Sequence, residues 1–140
     1  MASLLSESDH MKDMTITVFG NPDVPQDAMA VRLLSRLRVT FPQYPVSHLD
    51  PNENILPPEK GVWLIIDVAE GIKKVTVFRD LHSLESKRYL SVHDMDLSFT
   101  LHLLSKLHKL PKKFGIIAIP AHLIEEEAFE EVQRIISTSL

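Results

Sequence analysis

The chain has 140 residues, which is typical of one domain, and its composition is 44% hydrophobic and 24% charged. This composition predicts a soluble globular protein. The net charge of -4 and the scattered Lys and Arg residues argue against nucleic-acid binding, and no apolar run reaches the ~20 residues of a membrane-spanning helix. The chain has no cysteine. That excludes disulfides, a thiol nucleophile and a thiolate zinc cluster, so any metal site must use oxygen and imidazole ligands.

The first ten residues, MASLLSESDH, lack the basic and apolar regions of a secretion signal. We therefore expect a cytoplasmic protein. Residues 1–13 are predicted to form a disordered tail, and residues 14–140 a single α/β domain.

The first half of the domain predicts a strand, a helix and a short edge strand. The segment MTITVFG, from Met14 to Gly20, is rich in β-branched and aromatic residues and indicates a strand. Apolar residues then recur with helical spacing from about Gln26 to Arg38, and Pro25 suits the first turn of that helix. The short alternating run from Pro45 to Leu49 favours an edge strand.

The second half predicts three strands and two helices. The apolar run GVWLIIDVA is typical of a parallel strand covered on both faces, and Asp67 closes it. Few residues separate this run from KKVTVFRD, which predicts an antiparallel hairpin. Ser91 and Asp94 have capping-box spacing before a leucine-rich helix that is expected to end near Leu110.

The segment KFGIIAIP predicts a last strand, and a last helix with acidic residues in its first turn follows it. One apolar stripe is predicted on that helix: Ile124, Ala128, Val132, Ile135 and Ile136. The order of elements indicates a three-layer α/β/α domain with a twisted, mostly parallel mixed sheet.

Three polar residues fall where such sheets bind ligands, beyond the carboxyl ends of the strands. Asp27 lies in the first turn of the first helix, Asp67 at the end of the central strand, and His93 in the first turn after Ser91. Two carboxylates and one imidazole suit a borderline divalent metal such as zinc or nickel. Each residue also has an ordinary interpretation as a helix cap, a strand end or an exposed histidine.

Other sites have less support in the sequence. There is no GxGxxG, GxSxG or HExxH motif. His102 and His108 are interpreted as residues on the surface or boundary of the leucine-rich helix. His48 and Asp50 remain candidates because they follow the edge strand.

The motifs FGNPDVPQDAMAVRLL, WLIIDVAEG and LSVHDMDLSFTLHLLSKL, followed by LPKKFGIIAIP, resemble the nickel-iron hydrogenase maturation peptidases from about Thr15 to the last helix. The shared features are a strand ending in Gly-Asn, an acid seven positions after that Gly, an Asp ending the central strand and a Ser-x-His opening a helix. The resemblance implies a phosphorylase/hydrolase-like fold, so that residues 14–140 would form one peptidase-like domain. It also implies a processing endopeptidase that removes a C-terminal extension. Asp27, Asp67 and His93 would be its catalytic and metal-contacting residues.

The same resemblance implies that the metal is nickel carried by the substrate, a hydrogenase large-subunit precursor. No cofactor of its own is then expected, although a divalent metal can occupy the site, and the protein is expected to be a monomer without nucleic-acid or membrane partners.

Three departures from the family pattern leave alternatives open. Gln26 stands where the family has a second acid, Ala30 where it has glycine, and Pro51 to Asn54 where it has a Gly-Gly-Thr loop. One alternative is a metal- or partner-binding homologue that has lost cleavage. A third interpretation is an unrelated small α/β ligand-binding domain.

Overall fold

The computed structural model describes most of the predicted domain. The described residues are 13–20, 25–50, 56–69, 72–82 and 100–139, without the side chains of 25–27, 30 and 139. The predicted tail is therefore described only at Asp13, and the predictions for Ser91, His93 and Asp94 lie outside the described residues. No helix within those ranges is long and apolar enough to cross a membrane.

The elements follow the predicted order. They are β1 (Met14–Phe19), α1 (Pro25–Thr40), β2 (Val46–Leu49), β3 (Val62–Ala69), β4 (Thr76–Phe78), α2 (helical residues 100–106), β5 (Lys113–Pro120) and α3 (Glu125–Ser139). Helix α1 begins at Pro25 as expected, because proline has no amide hydrogen that the first turn would leave unbonded.

The strands form one mixed sheet in the order β2-β1-β3-β5-β4. Strands β2, β1, β3 and β5 are parallel, and β4 is antiparallel to β5. The predicted hairpin between β3 and β4 is wrong, although the mixed sheet it implied is correct. Strand β3 already has a parallel neighbour on each edge, so β4 cannot pair with it and pairs instead at the outer edge of β5.

Helices cover both faces of the sheet, which confirms the three-layer α/β/α class. Helices α1 and α3 pack on one face, and α2 packs on the other. Alternate residues of β3 enter the two cores: Leu64, Ile66 and Val68 face α1 and α3, whereas Trp63, Ile65 and Ala69 face α2. The predicted double-sided burial of this strand is confirmed from Trp63 onward, while Val62 is half-buried.

One residue of the predicted stripe on the last helix is placed differently. Ala128, Val132, Ile135 and Ile136 are buried, but Ile124 is 61% exposed. Ile124 lies just before α3, and its carbonyl accepts a hydrogen bond from the Ala128 amide at 3.0 Å. It therefore caps the helix through its backbone and does not belong to the buried face.

Charged side chains connect α1 to α3. Arg36 bonds Glu126 at 2.9 Å and Glu125 at 3.3 Å, and Arg32 bonds Glu125 at 2.9 Å. The hydrogen bond to Glu126 is the main cause that raises the pKa of Arg36. The Arg36 guanidinium also lies 4.1 Å from the centre of the Phe129 ring. Ion pairs at such exposed or partly exposed positions each contribute little to stability.

Helix α2 ends in a Schellman motif. The His108 amide donates to the Ser105 carbonyl at 3.1 Å and the Lys109 amide to the Leu104 carbonyl at 2.9 Å. His108 occupies the left-handed position with φ of 57°, where glycine is usual.

Replacing His108 with Gly is expected to stabilise the protein by about 0.5 kcal/mol, because relief of left-handed strain slightly exceeds the added entropy of the unfolded chain. Urea denaturation measures this change. Lys106→Gly, within the same helix, should destabilise by about 1 kcal/mol. Destabilisation by both variants would contradict the strain at His108.

Gly61 precedes β3 with φ of +82°, and a Cβ there would lie 2.5 Å from the Asp13 carbonyl oxygen. That oxygen accepts a hydrogen bond from the Val62 amide at 2.8 Å, so the backbone cannot move away freely.

Gly61→Ala should therefore destabilise the protein by about 1–3 kcal/mol, through both the positive φ and the collision with backbone. Thermal unfolding followed by circular dichroism would detect the change. A melting temperature equal to that of the wild type would contradict the described geometry.

Candidate functional site at the carboxyl edge of the sheet

The side of the sheet on which new strands are added changes between β1 and β3. From β1 the chain passes through α1 to β2 on one side, and the later strands add on the other side of β1. Helices α1 and α2 consequently lie on opposite faces. Parallel sheets bind ligands at the carboxyl ends of the strands that flank such a switch point. In this protein the flanking positions are Gly20, after β1, and the end of β3.

Asp67 lies on β3 close to this switch point. Its side chain is only 3% exposed, and Thr17 and Asp67 are the buried polar residues among the residues that the structure describes. The strand continues two residues beyond Asp67 to Ala69, so the prediction that Asp67 ends the strand and emerges at the edge is wrong. Parallel pairing of Val68 with Ile119 and of Ala69 with Pro120 extends the ladder past the carboxylate.

The surroundings of Asp67 belong to the face covered by α2. Strand register places Asp67 opposite Ala118 on β5, and Ala118 opposite Thr76 on β4. Trp63, four residues earlier on the same face of the strand, donates from Nε1 to Thr17 Oγ1 at 3.0 Å. Burial of a carboxylate costs several kcal/mol unless cations or hydrogen-bond donors compensate for the lost water. Such a position is typical of a functional carboxylate.

Asp27 lies in the first turn of α1, as predicted, and its side chain is outside the described part. The helix begins after β1, so the backbone of Asp27 is at the same edge of the sheet as Asp67. A carboxylate in a first turn is favoured by the helix dipole with or without a ligand.

His93 lies outside the described residues, as do the predicted capping residues before it. The described end of the same predicted helix, α2, packs through Leu101 and Leu104 on the face that carries Asp67. Within the described ranges no three His, Asp or Glu side chains form a group suited to a metal. The side chains of Asp27 and His93 were outside that search, so the convergence of the three residues stays a prediction.

His48 has a role at this edge that the sequence did not reveal. Its Nε2 lies 2.6 Å from the Gly20 carbonyl oxygen. A carbonyl can only accept, so Nε2 carries the hydrogen in this contact. The Gly20 amide in turn donates to the Leu49 carbonyl at 3.1 Å. The end of β2 therefore holds the residue from which the chain leaves β1, and Asp50 follows directly.

The other histidines considered from the sequence lie on or beside α2. His102 is half-buried on the helix, consistent with a boundary position, and His108 is exposed just beyond the helix end. The sequence pattern did not indicate the left-handed backbone of His108.

Comparison of the structure with solved proteins gives two extensive matches. The hydrogenase maturating endopeptidase HybD from E. coli superposes with a TM-score of 0.65 at 15% identity, over 90% of this chain and 93% of that one. The solution structure of an endopeptidase from Escherichia coli superposes with a TM-score of 0.61 at 19% identity, over 91% and 95%.

The chain has the fold of a hydrogenase maturating endopeptidase. No protein-family model matches the sequence, and no characterised protein matches it by sequence. The resemblance stated from four short motifs is thus confirmed at the level of the fold, where it covers nearly the whole of both chains.

Replacing His48 with Ala should destabilise the protein by about 0.5–1.5 kcal/mol, the usual contribution of one hydrogen bond. Because the Gly20 amide belongs to the same junction, its hydrogen exchange should accelerate more than that of amides in β5. His122→Ala, at an exposed position, is the matched control. Equal exchange at Gly20 in the two variants would show that the His48 contact does not hold this junction.

Proposed function

We propose that this protein is an endopeptidase that recognises nickel in a hydrogenase large-subunit precursor and removes the C-terminal extension of that precursor. The observation that carries the proposal is the buried Asp67 carboxylate on the central strand, beside the topological switch point of a fold shared with HybD. A fold similarity at 15–19% identity does not by itself assign the activity.

The proposed site consists of Asp27, Asp67 and His93. Two carboxylates and an imidazole form a mixed oxygen and nitrogen ligand set that suits nickel or zinc. Asp67 is suited to metal recognition because a carboxylate shielded from water interacts more strongly with a divalent cation than an exposed carboxylate does. Asp27 lies in the first turn of α1, on one side of the switch point. His93 comes before α2 in the sequence, and α2 packs on the other face of the sheet.

The substrate's nickel would supply Lewis-acid chemistry at the scissile bond, either polarising the carbonyl or activating a water molecule. The protein then needs no resident cofactor, since cleavage proceeds only when the precursor carries its metal. The role of Asp67 and His93 is to orient that metal, and the His48 contact holds Gly20, the last described residue before α1. We propose a cytoplasmic monomer as the working form.

The alternative is a homologue that binds the precursor without cleaving it. The sequence observation that favours it is the segment from Pro51 to Asn54, which replaces the Gly-Gly-Thr loop of the family. If binding were retained and cleavage were absent, the alternative would be correct.

Replacing Asp67 with Asn removes the charge while keeping the size of the side chain. We expect the affinity for nickel-loaded precursor to fall about 10- to 100-fold, the loss of a charge-assisted contact of about 1.5–3 kcal/mol. Melting temperature should change little, because the amide can retain part of the hydrogen bonding. Surface plasmon resonance and thermal unfolding measure the two quantities.

Glu127→Gln makes the same chemical change at an exposed position on α3 and should affect neither quantity. If Asp67→Asn lowered the melting temperature and left recognition unchanged, Asp67 would be a structural residue and the proposed site would be wrong.

A further inference from the structure

A groove with a volume of about 860 Å³ lies at the amino edge of the sheet, opposite Asp67. Its walls are the segments that lead into β3 and β5, residues 56–61 and 108–112, together with Asp13 before β1. The volume is within the range of about 300–1,000 Å³ that is usual for ligand pockets. The proposed peptidase site does not use this edge.

The groove is basic although the chain as a whole is acidic. Four exposed lysines line it: Lys60, Lys109, Lys112 and Lys113. Glu59 and Asp13 are the acidic residues among its described lining, whereas the net charge of the chain is -4. No ion pair among the described residues involves these lysines. Their charges are therefore not neutralised by another side chain that the structure describes.

The groove is also apolar and conformationally restricted. Leu56 is 87% exposed, and Leu110 and Val62 contribute further apolar surface. Three prolines stand in the two walls: Pro57, Pro58 and Pro111. Proline fixes φ, so these walls lose little conformational entropy when a ligand binds.

These features favour an acidic peptide over a nucleic acid. Single-stranded nucleic acids need several aromatic side chains on which successive bases stack, and among the described residues lining the groove the His108 imidazole is the one aromatic ring. The carboxylates of Glu59 and Asp13 would also repel a continuous phosphate backbone. A peptide can place carboxylates against the lysines and apolar side chains against Leu56 and the prolines.

We propose that this groove binds an acidic, leucine-containing peptide segment of a partner protein. Lys109, Lys112 and Lys113 contact its carboxylates, and Leu56 contacts its apolar side chains. The interaction is independent of the peptidase activity proposed for the other edge of the sheet.

The test uses fluorescence polarisation of a labelled synthetic peptide of repeating Glu-Leu pairs with the full chain. The double variant Lys112→Glu, Lys113→Glu should weaken binding about tenfold or more, and added salt should weaken binding to the wild type. The matched control is Lys73→Glu, Lys74→Glu, which makes the same charge change at exposed residues outside the groove and should alter affinity less than about twofold. Circular dichroism checks that both variants fold.

The apolar contribution is tested by Leu56→Ser against Val39→Ser, since both residues are at least 80% exposed and neither substitution disturbs the core. Only Leu56→Ser should weaken binding. Equal weakening by the two lysine variants, or equal binding of a peptide in which Ser replaces every Leu, would overturn the proposal. Tighter binding of a single-stranded oligonucleotide, or of a synthetic peptide with the sequence of residues 1–12, would also overturn it.

Discussion

The structure depends on the position of β3 between two parallel neighbours with helices on both faces. This strand pairs with β1 on one edge and with β5 on the other, and its residues from Trp63 to Ala69 are all buried. Because neither edge nor face is open to water, any polar side chain on β3 must be buried too. Asp67 is therefore placed where a carboxylate is costly, and its position suits a function that uses a shielded negative charge.

The same arrangement explains the topology. With both edges of β3 occupied, β4 pairs with β5, and the sheet grows from β1 in two directions. The switch point between β1 and β3 separates α1 from α2, which pack on opposite faces of the sheet. The two proposed functional surfaces then lie at opposite edges: the peptidase site at the carboxyl ends of the strands and the basic groove at their amino ends.

The strands and helices could be predicted because their signals are local. The apolar run of β3, the helical spacing of α1 and Pro25 at its start each determine structure within a few residues. The partner of β4 could not be predicted, because a short connection to β3 favours a hairpin locally and the competition from β1 and β5 is long-range. The burial of Asp67 has a different, local cause: two more apolar residues, Val68 and Ala69, extend the strand past the carboxylate and keep it inside the sheet.

Only the parts of the candidate site that depend on the type and local position of one residue could be predicted from the sequence. Asp67 was identified from its place after an apolar run, whereas the bond between His48 and Gly20 joins two strands and leaves no pattern in the sequence. The groove was missed because its lysines and Leu56 come from segments that are separated along the chain and meet only when β3 and β5 pair.

Metal dependence of cleavage tests the central claim most directly. The full chain would be incubated with the organism's own hydrogenase large-subunit precursor, either loaded with nickel or free of it, and the precursor's intact mass would be followed by mass spectrometry. Our account predicts loss of the C-terminal extension from the nickel-loaded precursor alone. Cleavage of both forms, or of neither, would contradict it.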